Sequence, residues 1–136
     1  MASSFHSLRA TSTFVIDSWT DEVLDERGEV KIARARLTKT FRGDLEGRSV
    51  ADIVTMRGPG AFASYCGLER IEGTLAGRKG SFVLKHDATM SAEGAAAAWT
   101  VVPGSGTDEL ASLHGIAQIT NEPGGGHTFT LEYELN

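Results

Sequence analysis

The sequence predicts an all-β fold, an eight-stranded antiparallel up-and-down barrel of the lipocalin-like kind, from three observations. Helical periodicity is nearly absent, and extended runs take its place. Gly-containing turn signals separate those runs about every dozen residues, the spacing of a sandwich or barrel. The connections are mostly short, which favours antiparallel neighbours in sequence order. A barrel is preferred to a sandwich because closure removes sticky edges, and about eight strands leave room for side chains or one small ligand.

The first run is Ala10 to Trp19, with Phe14 and Ile16 on one face and Thr11, Thr13 and Asp17 on the other. Thr20 to Glu29 is acidic and reads as a long surface connection with a turn at Arg27-Gly28-Glu29. Val30 to Phe41 ends at the turn signal Arg42-Gly43-Asp44, and Glu46 to Arg57 ends at Gly58-Pro59-Gly60. Ala61 to Leu75 contains Gly67, which suggests a bulge or sharp bend within the strand. After Gly77-Arg78-Lys79-Gly80, Ser81 to Met90 places Phe82, Leu84 and His86 on one face. The alanines Ala95 to Ala98 favour helix in isolation, but the run to Val102 is too short to nucleate one, and Trp99-Thr100-Val101-Val102 pulls it to strand. His114 to Asn121 is the seventh run. His127 to Leu135 is the eighth, with Phe129, Leu131, Tyr133 and Leu135 inward.

Trp99 to Gly115 (W-T-V-V-P-G-S-G-T-D-E-L-A-S-L-H-G) is the irregular corner of the chain, with a short helical turn expected near residues 107–113. It is the segment expected to fix how the sheet closes.

Composition bounds the function. The 136 residues fit one domain, residues 1–136, with 1–9 expected as a flexible N-terminus. A formal charge of −5 argues against nucleic acid. The basic residues Lys31, Arg34, Arg36, Lys39 and Arg42 split between the two faces of a strand and make no single stripe. Cys66 is the only cysteine, the first ten residues hold no signal-type apolar run, and no stretch is apolar enough to span a membrane as a helix. These features predict a cytoplasmic protein with no nucleic-acid and no membrane partner.

The runs Ala33-Arg34-Ala35 to Phe41, Gly43-Asp44-Leu45-Glu46-Gly47, Gly67-Leu68-Glu69-Arg70, Gly73 to His86 and Trp99 to Gly115 carry a resemblance. Together they resemble a family of small bacterial proteins grouped as a domain of unknown function, whose members are similar to the allene oxide cyclase barrel of plants. The resemblance covers the chain from about Thr13 to Leu135. It implies an eight-stranded antiparallel barrel with a central cavity, frequent pairing through outer faces (a homo-oligomer, dimer favoured), and no established activity. Gly80-Ser81-Phe82-Val83 followed by Pro103-Gly104-Ser105-Gly106 resembles the cyclase's Gly-led strand and its G-G-S-G corner. In the cyclase a first-strand glutamate and a bonded water assist ring closure. The resemblance puts Asp17 at that place, one methylene shorter, with Trp19 where the cyclase has a small polar residue.

Glu69 is the leading candidate for chemistry. It shares a face with Tyr65, Gly67 and Ile71, so it is expected to point inward. A carboxylate in an apolar lumen is expected to have a raised pKa and to act as general acid or base. The alternative is a buried structural ion pair with Arg34 or Arg36. His86, on the Phe82–Leu84 face, is either a proton shuttle or a satisfied core histidine. Tyr65, Phe82, Trp99 and Tyr133, together with Arg34 and Arg36, are candidate ligand-binding residues, with core packing as the plainer reading of the aromatics. Cys66 is expected as a buried, unreactive thiol, and His114 as a pin for the corner. The four histidines have no ligand-type spacing, so no metal and no cofactor are expected; Gly104-Ser105-Gly106-Thr107 lacks a Walker lysine and reads as a turn.

The functional expectation is a barrel that holds a small hydrophobic or amphipathic molecule. Such a barrel could be a cofactor-free cyclase or isomerase acting largely by restraining its substrate. A binding protein without turnover, or a structural barrel with a filled core, would carry the same sequence features.

Overall fold

The computed structural model describes residues 7–136 of the chain. Eight strands follow one another: β1 (Leu8–Arg27), β2 (Val30–Gly43), β3 (Leu45–Arg57), β4 (Ala63–Leu75), β5 (Arg78–Ser91), β6 (Gly94–Val101), β7 (His114–Asn121) and β8 (His127–Glu134). Each pairs antiparallel with its neighbour in sequence, and β8 closes on β1 from Leu8↔Tyr133 to Phe14↔His127, giving a closed barrel. One 3-10 turn, Asp108–Leu110, is the helical element among the described residues.

Three sequence expectations change. Residues 20–27 are not a loop: β1 runs on to Arg27 and pairs with β2 as far as Arg27↔Val30. That half of β1 lies beyond the reach of β8, so water bathes both of its faces and the apolar alternation that marks a strand is lost. Leu8 and Arg9, expected as flexible, are held in the β1–β8 ladder, while residues 1–6 lie outside the described residues. β5 starts at Arg78 because the turn at Ala76-Gly77, both at positive φ, is tighter than expected.

The lumen has two unlike halves. At one end Phe41, Leu45, Ile71, Phe82, Leu84 and Phe129 fill it as a continuous apolar core. The corner after β6 seals that end. Ser105 and Thr107 bond the β5 backbone at Val83 and Ser81, and the segment drives Leu110 and Leu113 into the core. Gly80 lets this corner approach, since a Cβ there would stand 2.3 Å from the Thr107 carbonyl oxygen. At the other end, where β1 to β5 are long, the small residues Ala33, Ala35 and Ala51 line the wall and the lumen stays open.

Candidate functional site

Strand parity sets the site. Along β4, Tyr65, Gly67, Glu69 and Ile71 face the lumen; along β5, Phe82, Leu84, His86 and Ala88 do so. Glu69 therefore lies on the floor of the open half, fully buried, with His86 beside it. A buried carboxylate needs partners for its charge and lone pairs. Lys39 Nζ donates to its Oε1 at 3.2 Å, His86 Nε2 stands 2.7 Å from the same oxygen, and Ser49 Oγ donates to Oε2. The Lys39 ammonium also lies 4.6 Å from the centre of the Phe14 ring, a cation–π contact that helps hold it away from water.

The network continues upward. Trp99 Nε1–H donates to the Tyr65 hydroxyl at 3.1 Å, and that hydroxyl lies 3.4 Å from His86 Nδ1. An indole N–H can only donate, so the phenol oxygen accepts from Trp99 and its own proton is free for Nδ1. His86 then carries its ring proton on Nε2 and gives it to Glu69. The tautomer follows from the network. The result is one directional chain, Trp99 to Tyr65 to His86 to Glu69.

Burial alone would lift the Glu69 carboxyl. The hydrogen bond from His86, the Lys39 charge and the Ser49 hydroxyl outweigh burial and hold it below the ordinary carboxylate range. This corrects the expected raised pKa. Burial pushes the Tyr65 phenol up, with the Glu69 charge adding to the rise against the Trp99 hydrogen bond. Glu69 is thus the fixed anion of the site and Tyr65 a neutral proton donor.

Above this floor opens a cavity of about 290 Å³. Tyr65, His86 and Lys39 are among its lining residues on the floor side, and Trp19, Leu37, Ile53 and Met90 form apolar wall. The site is therefore an apolar pocket with a few convergent polar groups at its base.

The other candidates lie elsewhere. Arg34 and Arg36 do not reach Glu69; they are on the outer face of β2, where Arg36 grips Asp52 through Nε at 2.8 Å and Nη2 at 3.1 Å. Their parity opposes that of Leu37 and Lys39, so the buried partner is the lysine. Asp17 is also outside: a bulge between Ile16 and Ser18 makes it the extra residue, and its carboxylate accepts from half-buried Thr40 at 2.6 Å. Phe82 and Tyr133 belong to the filled half. Cys66, expected to be buried, is exposed on the outer wall, and His114 is exposed at the start of β7.

Lys39, Ser49 and Trp19 are not among the candidate site residues read from the sequence. Lys39 had a signal: between Ala33 and Phe41 it is the one charge on the inward face of β2, set among Ala35, Leu37 and Phe41. Trp19 had none, because the bulge at Asp17 reverses the parity that follows it.

Among the described residues no cluster of three or more His, Cys, Asp or Glu is placed to hold a metal ion, and no helix is long and apolar enough to cross a membrane. Comparison with known proteins finds no match among the curated ones. A solved structure of a DUF3224-family protein of unknown function from Shewanella oneidensis MR-1 is similar: 32% identity, 96% of this chain and 99% of that chain covered, TM-score 0.88. The family described as "Protein of unknown function (DUF3224)" matches residues 10–133, and with nearly the whole barrel inside that match, the chain belongs to the DUF3224 family.

Proposed function

We propose that the open half of the lumen holds a small amphipathic molecule, and that Tyr65 and His86 pass a proton to or from it in a cofactor-free isomerisation or cyclisation. One observation carries this reading: the directional chain from Trp99 to Glu69 reaches the cavity at its two middle members, Tyr65 and His86. A phenol that stays protonated can donate a proton, and an imidazole whose far nitrogen is held by a carboxylate can accept one. Nucleophilic catalysis by Lys39 is disfavoured, because its ammonium is held by Glu69 and the Phe14 ring. Apolar walls around the bound molecule would supply the restraint that such a reaction needs.

Native mass spectrometry of freshly purified protein tests the reading. The expected result is a retained organic molecule in the wild type and none in Leu37→Trp, which fills the cavity. A retained molecule that Tyr65→Phe still binds but no longer converts supports the catalytic form. No bound molecule in either protein counts against a lumen ligand.

A second reading, binding without turnover, is favoured by the complete satisfaction of the site: among the described residues no buried side-chain nitrogen or oxygen lacks a partner. Glu69→Gln separates the two when a substrate is in hand. A catalytic role predicts retained binding and lost turnover, and a purely structural one predicts lost stability alone.

A further inference from the structure

The charged groups that line the cavity are all cations. Lys39 stands at the floor and Arg57 at the mouth, and no Asp or Glu is among the lining residues. The two cations are not equivalent. Glu69 neutralises Lys39 at 3.2 Å, whereas Arg57 takes part in no ion pair with a described residue. Arg57 is the last residue of β3, on the same face as Ala51, Ile53 and Thr55, and its partner across β2 is Lys31, a second cation on the same side of the sheet. On the Trp19 side, the Asp21 carboxylate accepts the Trp19 indole N–H at 3.3 Å. Farther out, Glu26 is the Cα partner of Lys31, with no ion pair formed between them. Below the rim the wall is mainly apolar down to Tyr65 and His86, with the Thr55 and Ser64 hydroxyls donating to the main-chain carbonyls of Ala33 and Ala88.

Resting on the lumen reading above, we infer that the ligand is an anionic amphiphile, a carboxylate or sulfonate on a hydrocarbon or aromatic body, bound head outward at Arg57 with its body on Tyr65 and His86. A guanidinium with no internal partner offers a planar, two-pronged donor to such a head, and the apolar wall receives the rest. At about 290 Å³ the cavity takes a small body, near the lower limit of ligand pockets. This orientation puts the atoms that meet Tyr65 and His86 at the far end of the molecule from its acid group.

Matched pairs of compounds test this by isothermal titration calorimetry on the whole protein: octanoate against octanamide, and 2-naphthoate against 2-naphthamide. The expected result is that the acid of at least one pair binds roughly tenfold or more tighter than its amide. Arg57→Gln should bring that acid to within about threefold of its amide and leave the amide unchanged, while Arg57→Lys keeps most of the difference. Acid and amide of equal affinity, unmoved by Arg57→Gln, would overturn the anionic head while leaving the lumen ligand standing. A lost preference in Leu37→Trp with amide binding also lost confirms that both compounds enter the lumen. No binding by any of the four compounds overturns both readings.

Discussion

His86 Nε2 lies 2.7 Å from Glu69 Oε1 although the two residues are not cross-strand partners; Gly67 stands opposite His86, and Leu84 opposite Glu69. They are diagonal neighbours on one face, a distance that only long side chains close. Gly67, with no side chain, leaves the imidazole free to lean along the strand to the carboxylate. The acid–base pair is thus a product of sheet register, and the two residues reach each other with no loop involved.

Removing the charge on Glu69 isolates Lys39 in the core. Breaking a buried pair from one side costs roughly 3–5 kcal/mol, and Glu69→Gln should fall near the lower figure, since the amide oxygen can still accept from Lys39. Lys39→Met combined with Glu69→Gln should recover a large part of that loss, because the stranded ammonium is gone. Urea unfolding of wild type, the two single variants and the double variant measures the coupling. Additive losses would mean that the two groups do not share a stabilising contact.

The same carboxylate gives the barrel an acid-sensitive component. Its folded pKa is below the ordinary 4.5, so the fold favours the ionised form. The resulting stability is complete above 4.5 and is lost as the pH falls through the lower, folded value. The gap in unfolding free energy between wild type and Glu69→Gln should therefore narrow as the pH drops below 4.5. A gap of constant size down to the acid transition would show that Glu69 titrates alike in both states.

Both tyrosines should ionise late. Burial raises Tyr65 and Tyr133 above 10.0, with the negative charges of Glu69 and Asp44 respectively adding to the effect. Because the chain has only two tyrosines, phenolate absorbance during an alkaline titration reports both, and Tyr65→Phe assigns the remaining signal to Tyr133. A phenol titrating at or below 10.0 in the folded protein would contradict the burial of that ring.

Cys66 projects from the outer wall of β4. It should react with a thiol reagent such as DTNB in the native protein, one thiol per chain, without denaturant. A thiol released only by unfolding would restore the buried position first expected of it.

Parity explains which parts of this site could be read from the sequence. Tyr65, Glu69 and Ile71, and likewise Phe82, Leu84 and His86, alternate without interruption, so their common orientation is legible from the period alone. β1 is illegible past Ile16, since one inserted residue turns Trp19 inward and Asp17 outward, and the segment to Arg27 is wet on both faces. The partner of Glu69 needed cross-barrel knowledge. Arg34, Arg36 and Lys39 are equally plausible in composition, and only their alternation against Ala35 and Leu37 separates the lysine from the arginines. The sign of the Glu69 shift depends on those partners, which is why burial alone pointed the wrong way.

Gly67 is where fold and site are bound most tightly. A Cβ at this position would lie 2.2 Å from the Asp52 carbonyl oxygen and 2.7 Å from Ile53 Cα, both backbone atoms of β3. No side-chain rotation relieves such a clash, so Gly67→Ala must push β4 off β3. It would do so between Tyr65 and Glu69, the two residues that hold His86 from above and below. A loss of about 1–3 kcal/mol is expected from the overpacking. Gly28→Ala is the control: Gly28 sits in the β1–β2 turn at φ +57 with nothing within 4 Å of its added Cβ, so only the left-handed backbone resists it, at about 1 kcal/mol. Urea unfolding should rank Gly67→Ala as the costlier change, and in that variant alone the alkaline titration of Tyr65 should move toward its ordinary value as the wall opens to water. If the two alanines cost the same and the Tyr65 titration stays put, β3 and β4 have the slack to absorb a methyl group, and the close approach at Gly67 is not what positions His86 against Glu69.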